Sequence, residues 1–280
     1  AHELEIQSAV LSVAGKESPL RVVAGGEDFA GFDFGRELPA GKAHLAIAYR
    51  GKLDPVETEG LFRQKDGDDW YVFSQFESTF ARRAFPCFDE PSYRTPWKLT
   101  LHVREDHVAV TNSPAVAERK EANGMKAVEF APTPPISSYL VALGVGPFTV
   151  VDAGTWGRAK TPVRMIVARG KQAQTGYAAE VTGPILAALE EYFEIPYAFA
   201  KLDNLAIPQT VGFGAMENPG LITYMDRWLL SDPAHPVLER QRTYASTAAH
   251  ENAHLWFGDL VTMKWWDDLW LNEAFATWMA

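Results

Sequence analysis

A single cysteine, Cys87, stands in 280 residues, which excludes an intrachain disulfide and leaves the redox compartment open. Between Pro86 and Phe88 it reads as a buried small hydrophobe. Basic residues are in deficit: 26 Lys and Arg stand against 36 Asp and Glu, for a net charge of −10. That balance argues against nucleic acid as a partner, since such proteins carry a basic face. No apolar run reaches the about 18 residues that a membrane span requires, so no membrane segment is read in this chain. Low-complexity tracts, internal repeats and a secretory leader pattern are also missing. The chain reads as soluble, with the compartment open and the cytoplasm slightly favoured. What is present is ordinary globular material, 47% hydrophobic and 22% charged, in a length that suits two domains.

The first stretch reads as β-structure. Alternating or β-rich runs recur at Leu4–Val13, His44–Tyr49, Trp70–Phe76, Trp97–Val103, His107–Thr111, Ala127–Phe130, Ser138–Leu143 and Val163–Val167. Turn-forming clusters such as Lys65-Asp66-Gly67-Asp68 separate them. The pattern changes near residue 168. Helical periodicity runs over Gln172–Phe193, Val237–Phe257 and Leu269–Met279, with a short strand at Leu202–Ile207 and extended chain over Val211–Tyr224. Gly258 reads as the C-cap of the second helix. Two domains are expected, 1–168 and 169–280, the first an all-β sandwich or saddle.

The segment Ala249-His-Glu-Asn-Ala-His-Leu-Trp-Phe-Gly-Asp259 carries two histidines four apart. On a helix, positions i and i+4 share a face, so His250 and His254 can aim both imidazoles at one point. Glu251 is turned about 100° away and can flank a metal without ligating it. A catalytic zinc takes three protein ligands and keeps one open position, so a third ligand is required. Glu273, in the helix that follows, is the candidate.

The stretch from His250 to Met279 resembles the zinc core of the M1 aminopeptidases, a gluzincin family. Their signature is His-Glu-x-x-His, eighteen residues and a Glu, and residues 255–272 supply the eighteen. A second family signature, Gly-Ala-Met-Glu-Asn, stands at 214–218, and Gln75–Pro91 is a third family-like segment. The resemblance implies an α+β multidomain protein, with the β domain followed by the first part of a thermolysin-like α/β zinc-peptidase domain. It implies one Zn2+ ion on His250, His254 and Glu273, and Glu251 as general base and proton shuttle. Gly214, Ala215, Met216 and Asn218 would bind the backbone of a peptide substrate with a free N-terminus. Glu217 would hold its α-ammonium, helped by Glu77. Relatives of the leukotriene A4 hydrolase type share Pro219, so an aminopeptidase that is also an epoxide hydrolase stands as an alternative, as does an inert scaffold of the same family. The resemblance also implies further strands before residue 1 and a long continuation, including an oxyanion-stabilising tyrosine roughly sixty residues beyond Glu273. This piece alone is therefore expected to be impaired. Trp256, Trp265, Trp266, Trp270 and Trp278 are expected to pack around the ligand-bearing helices. His2, His44, His102, His107 and His235 lack partner spacing and read as structural or surface residues.

Overall fold

In the computed structural model, which describes residues 2–280, strands prevail up to residue 167 and helices thereafter. Strands β1 (Glu5–Val13), β2 (Lys16–Pro19), β3 (Arg21–Ala24), β4 (Ala30–Asp33) and β5 (His44–Arg50) come first; β2-β1-β5 form one sheet and β3-β4 a ribbon. Next are β6 (Gly60–Asp66), β7 (Asp69–Gln75), β8 (Thr100–Arg104), β9 (Val108–Thr111), β10 (Ala115–Lys120), β11 (Met125–Phe130) and β12 (Leu143–Gly146). They sort into two antiparallel sheets, ordered β6-β7-β12-β9 and β10-β11-β8.

The last sheet positions the site. It contains β13 (Thr149–Trp156), β14 (Thr161–Val167), β15 (Leu202–Ile207), β16 (Ala215–Met216) and β17 (Leu221–Met225), ordered β13-β14-β15-β17-β16. Two of its strands precede residue 168 and three follow it. The inner pairs β14/β15 and β15/β17 are parallel, and both outer pairs are antiparallel. Alternate residues of these strands feed two cores. Val163, Met165, Leu202, Ala206, Ile222 and Tyr224 face helices α1 (Gly176–Phe193), α3 (Leu238–His254) and α4 (Leu269–Met279). Ile166, Leu205, Ile207 and Leu221 face the β6-β7-β12-β9 sheet through Phe62, Tyr71, Phe73 and Val110. All six residues of β15 are therefore buried, as befits a parallel strand covered on both faces. The short α2 (Asp226–Leu229) leads out of β17.

Several expectations need correction. Ser138–Leu143 is not one strand: Ser138–Leu140 is a 3-10 turn and β12 begins only at Leu143. The reason is Asn112. Its side-chain amide donates to the Leu140 carbonyl (2.8 Å), and its oxygen accepts from the Ala142 N–H (2.8 Å). A side chain thus occupies the backbone groups that a strand partner would need. Trp97–Val103 becomes regular only from Thr100. β10 gives no periodic signal because every residue of it is exposed. Gly258 does not cap the second helix, which ends at His254. Cys87 is only half-buried, at the margin of a cluster around Phe76 and Tyr139.

Candidate active site

Helix α3 lies against the sheet through Tyr244 and Ala248. That contact turns its final residues inward, so Glu251 and His254 are buried. His254 Nδ1 lies 3.0 Å from the Phe257 carbonyl. A carbonyl can only accept, so this contact keeps a proton on Nδ1, and in the neutral form of the ring Nε2 is the nitrogen left with a lone pair. His254 Nε2 and His250 Nε2 are 3.0 Å apart. The Glu273 carboxylate, on α4, reaches them at 3.7 and 3.3 Å.

The connection between the two helices makes this convergence possible. The chain leaves α3 in a tight turn in which Asp259 N–H donates to the His254 carbonyl (3.0 Å) and Gly258 N–H to Val261 (2.8 Å). Gly258 adopts φ +136°, and a Cβ there would sit 3.3 Å from Asn272 Nδ2 and 3.5 Å from His254 Nδ1. The glycine lets the start of α4 press against the end of α3. From the other side Arg94 spans to this turn, donating to the carbonyls of Asp259 (2.8 Å), Leu260 (3.1 Å) and Pro135 (3.0 Å).

Two nitrogens and one carboxylate oxygen, all within 4.8 Å of one another, match the donor set of a three-ligand zinc site. Electrostatics point the same way. Burial pulls the His254 pKa down, but Glu217, Glu273 and Glu251 more than reverse it and hold the imidazolium up to about 10. Hydrogen bonds from His250 and His254 hold Glu273 well below the usual carboxylate range. Glu251 moves the other way: burial, then the nearby Glu217, Glu273 and Glu77, push its pKa well up despite His254. The cluster as a whole favours a cation at its centre.

The second sequence motif forms the rim. Gly214–Met216 pairs with β17, with Met225 N–H donating to the Gly214 carbonyl (2.8 Å). A side chain at Gly214 would collide with the Trp228 ring of α2. β16 is the last strand of its sheet, so its outer edge pairs with no strand among the described residues. Gln75 donates to Met216 Sδ at 3.4 Å and ties this edge to β7. Asn218 and Leu221 close a turn (3.0 Å) with Pro219 and Gly220 (φ +75°) at its centre, the residue pattern of a type II turn. Glu217 is buried immediately before that turn. Glu77, just past β7, faces it; burial, then Glu217 and Glu273, push the Glu77 pKa well up.

Glu77 Oε1, Glu217 Oε1, Asn218 Nδ2, Tyr139 Oη and both Asp259 oxygens are buried without a hydrogen-bond partner among the described residues. Unpaired buried polar atoms are costly, and their concentration here marks a place built to receive polar groups from outside. Asp259 and Tyr139 carry no motif signal; only their positions in the fold bring them in. The tryptophans divide. Trp256 is buried against Phe193 and Trp266 packs on Tyr139, but Trp265, Trp270 and Trp278 are 48%, 62% and 69% exposed. Helix α4 turns Asn272 and Ala276 inward, which puts Trp270 and Trp278 on its far side. His2, His102 and His235 pair with Asp28, Glu121 and Asp232, away from the site.

The model of the peptidase M1 N-terminal domain matches residues 1–140, and that of the peptidase family M1 domain matches residues 177–280. Aminopeptidase M1-A of Oryza sativa subsp. japonica is 44% identical over 252 residues, covering 88% of this chain and 28% of that protein. The puromycin-sensitive aminopeptidase of Caenorhabditis elegans is 43% identical over 244 residues (85% and 25%). The leucyl aminopeptidase of Saccharolobus solfataricus is 40% identical over 238 residues (84% and 29%). The chain thus spans little more than a quarter of the length of these relatives.

Proposed function

Because the chain belongs to peptidase family M1, we propose that the full-length protein is a zinc aminopeptidase that removes N-terminal residues from peptides. The observation that carries this reading is the convergence of His250, His254 and Glu273 beside the buried pair Glu251 and Glu217. His250, His254 and Glu273 would hold the ion. Bound there, zinc supplies a Lewis acid that polarises a carbonyl and acidifies water. Glu251 Oε would take the proton of the attacking water and hand it to the departing amine. As a carboxylate it can take that proton, and as the resulting acid it can give it up. A substrate strand would lie along the free edge of β16 and pair with its backbone. Glu217 and Glu77 would meet the substrate's α-ammonium, whose N–H groups can satisfy the two orphaned carboxylate oxygens. Placing an amine anchor beside the reacting carbonyl restricts cleavage to the first peptide bond.

Pro219 has an ordinary local reason as the second residue of its turn. It adds no support for epoxide hydrolysis.

The test is hydrolysis of a panel of aminoacyl-arylamides by the full-length protein, before and after a chelator and after zinc is restored. Activity that disappears and returns supports the proposal. Activity indifferent to the chelator, or no activity on any member of the panel, would overturn it. No helix among the described residues is long and apolar enough to cross a membrane.

A further inference from the structure

One buried lysine lies outside the sequence motifs. Lys201 stands one residue before β15 and is 4% exposed, although nothing in the chemistry above uses it. All three of its ammonium protons are taken: by the Thr111 carbonyl (2.7 Å), the Asp203 carboxylate (2.7 Å) and the Gly220 carbonyl (2.6 Å). Asp203 is in turn held by both arms of Arg164 at 2.7 Å.

Gly220 belongs to the Asn218–Leu221 turn that follows Glu217. The neighbouring carbonyl of that turn, Pro219, is gripped by Asn112 Nδ2 at 3.0 Å. Both central carbonyls of the turn are therefore held from outside by buried side chains, one from each flanking segment. The Asp203 N–H makes a further bond to Gly220 O (3.1 Å). Gly220 has no room for a side chain, since a Cβ would run into the Asn112 carbonyl oxygen. The turn cannot shift without breaking a charge-assisted bond in a site closed to water, where the loss is not made good by solvent.

We propose that Lys201 is a positioning residue for amine recognition: its ammonium, together with Asn112, clamps the turn that fixes Glu217 at the substrate's N-terminus. The three bonds of this ammonium tie Thr111, Asp203 and Gly220 together, and the last belongs to the turn that follows Glu217. The inference rests on the reading of Glu217 as the amine anchor.

The experiment compares kcat/KM for one peptide with a free and with an acetylated N-terminus, in the full-length protein. Wild type, Glu217→Gln, Lys201→Met and Lys201→Gln are each measured, with zinc content and melting temperature alongside. Lys201→Met keeps the side chain's bulk, and Asp203 retains Arg164. In wild type the free peptide should be strongly preferred. In Lys201→Met that preference should fall by about 10- to 100-fold, the scale of effect from displacing a binding group by an ångström, chiefly through KM. Zinc content should be unchanged. Lys201→Gln, which can still donate to Gly220, should recover part of the preference. A folded Lys201→Met with undiminished preference would overturn the inference, as would unchanged preference in Lys201→Gln if the methionine variant does not fold. Failure of both variants to fold would assign Lys201 to fold maintenance and overturn it too. If wild type itself shows no preference, it is the Glu217 reading that fails.

Discussion

His254 Nδ1 and the Phe257 carbonyl lie 3.0 Å apart, and this bond decides which face of the imidazole meets the site. With a proton held at Nδ1, loss of the second ring proton frees the Nε2 lone pair, 3.0 Å from its counterpart on His250. A backbone carbonyl beyond the helix end thereby sets the tautomer of a residue within it, as supporting bonds to metal-binding histidines commonly do.

Zinc uptake should expel a proton. The surrounding carboxylates hold the His254 imidazolium up to about 10, while a zinc ligand must be neutral. Calorimetric titration of zinc into chelator-treated protein at pH 8, in buffers of differing ionisation enthalpy, should report net proton release. No release would contradict the electrostatics described. The same raised pKa has a sign in folding. Below the ordinary histidine value of 6.5 its stabilisation is fully present, and it is lost as pH rises through about 10. Zinc-free protein should therefore melt at progressively lower temperature across that window.

Glu251→Gln keeps the size of the side chain and removes the base. In the full-length protein kcat should fall by roughly 10²–10⁴, the usual worth of general acid–base catalysis. Zinc content, measured by atomic absorption, should stay near that of wild type, because Glu251 is not one of the three converging groups. Retained turnover would exclude it as the base.

Glu217→Ala should cost roughly 10- to 150-fold in kcat/KM for free peptides, the equivalent of a charge-assisted hydrogen bond worth about 1.5–3 kcal/mol. For N-acetylated substrates, which carry no charge to pair, the substitution should have no such effect. Equal wild-type rates on free and acetylated versions of one peptide would point instead to an endopeptidase.

Gly258→Val should loosen the junction of α3 and α4. The residue sits at φ +136°, where a β-branched side chain is strained by about 1–3 kcal/mol, and Asn272 and His254 leave it little space. Thermal melts should register the destabilisation. Competition with a chromogenic chelator should show weaker zinc retention, because Glu273 hangs on that junction. An unaltered melting temperature would mean the turn is more pliant than its contacts suggest.

The candidate metal-binding cluster was legible because it obeys helix geometry: His250 and His254 share a face by spacing alone, and a three-ligand zinc site asks for a third group such as Glu273. Gly214–Asn218 was legible as part of an extended stretch, Val211–Tyr224, and as a family signature. Lys201 and Asn112 were not, since a buried hydrogen bond to a carbonyl nearly twenty residues away, or over a hundred, leaves no periodic trace. The one hint was charge inside an apolar run, with Lys201 and Asp203 flanking Leu202. Exposed strands such as β10 escaped because alternation reports burial, and they have none. The Ser138–Leu143 run misled because its apolar content reflects a buried turn gripped by a side chain, and not a ladder.

Strand β15, covered on both faces and paired on both edges, bears on timescale as well as on shape. Its amides should be among the slowest in the molecule to exchange with deuterated solvent, since exposing them requires both cores to part. β16, two residues long with one edge unpaired, should exchange orders of magnitude sooner. On that expectation a slow spine would adjoin a faster rim, with Lys201 rooted beside the first and the backbone proposed to meet a substrate on the second.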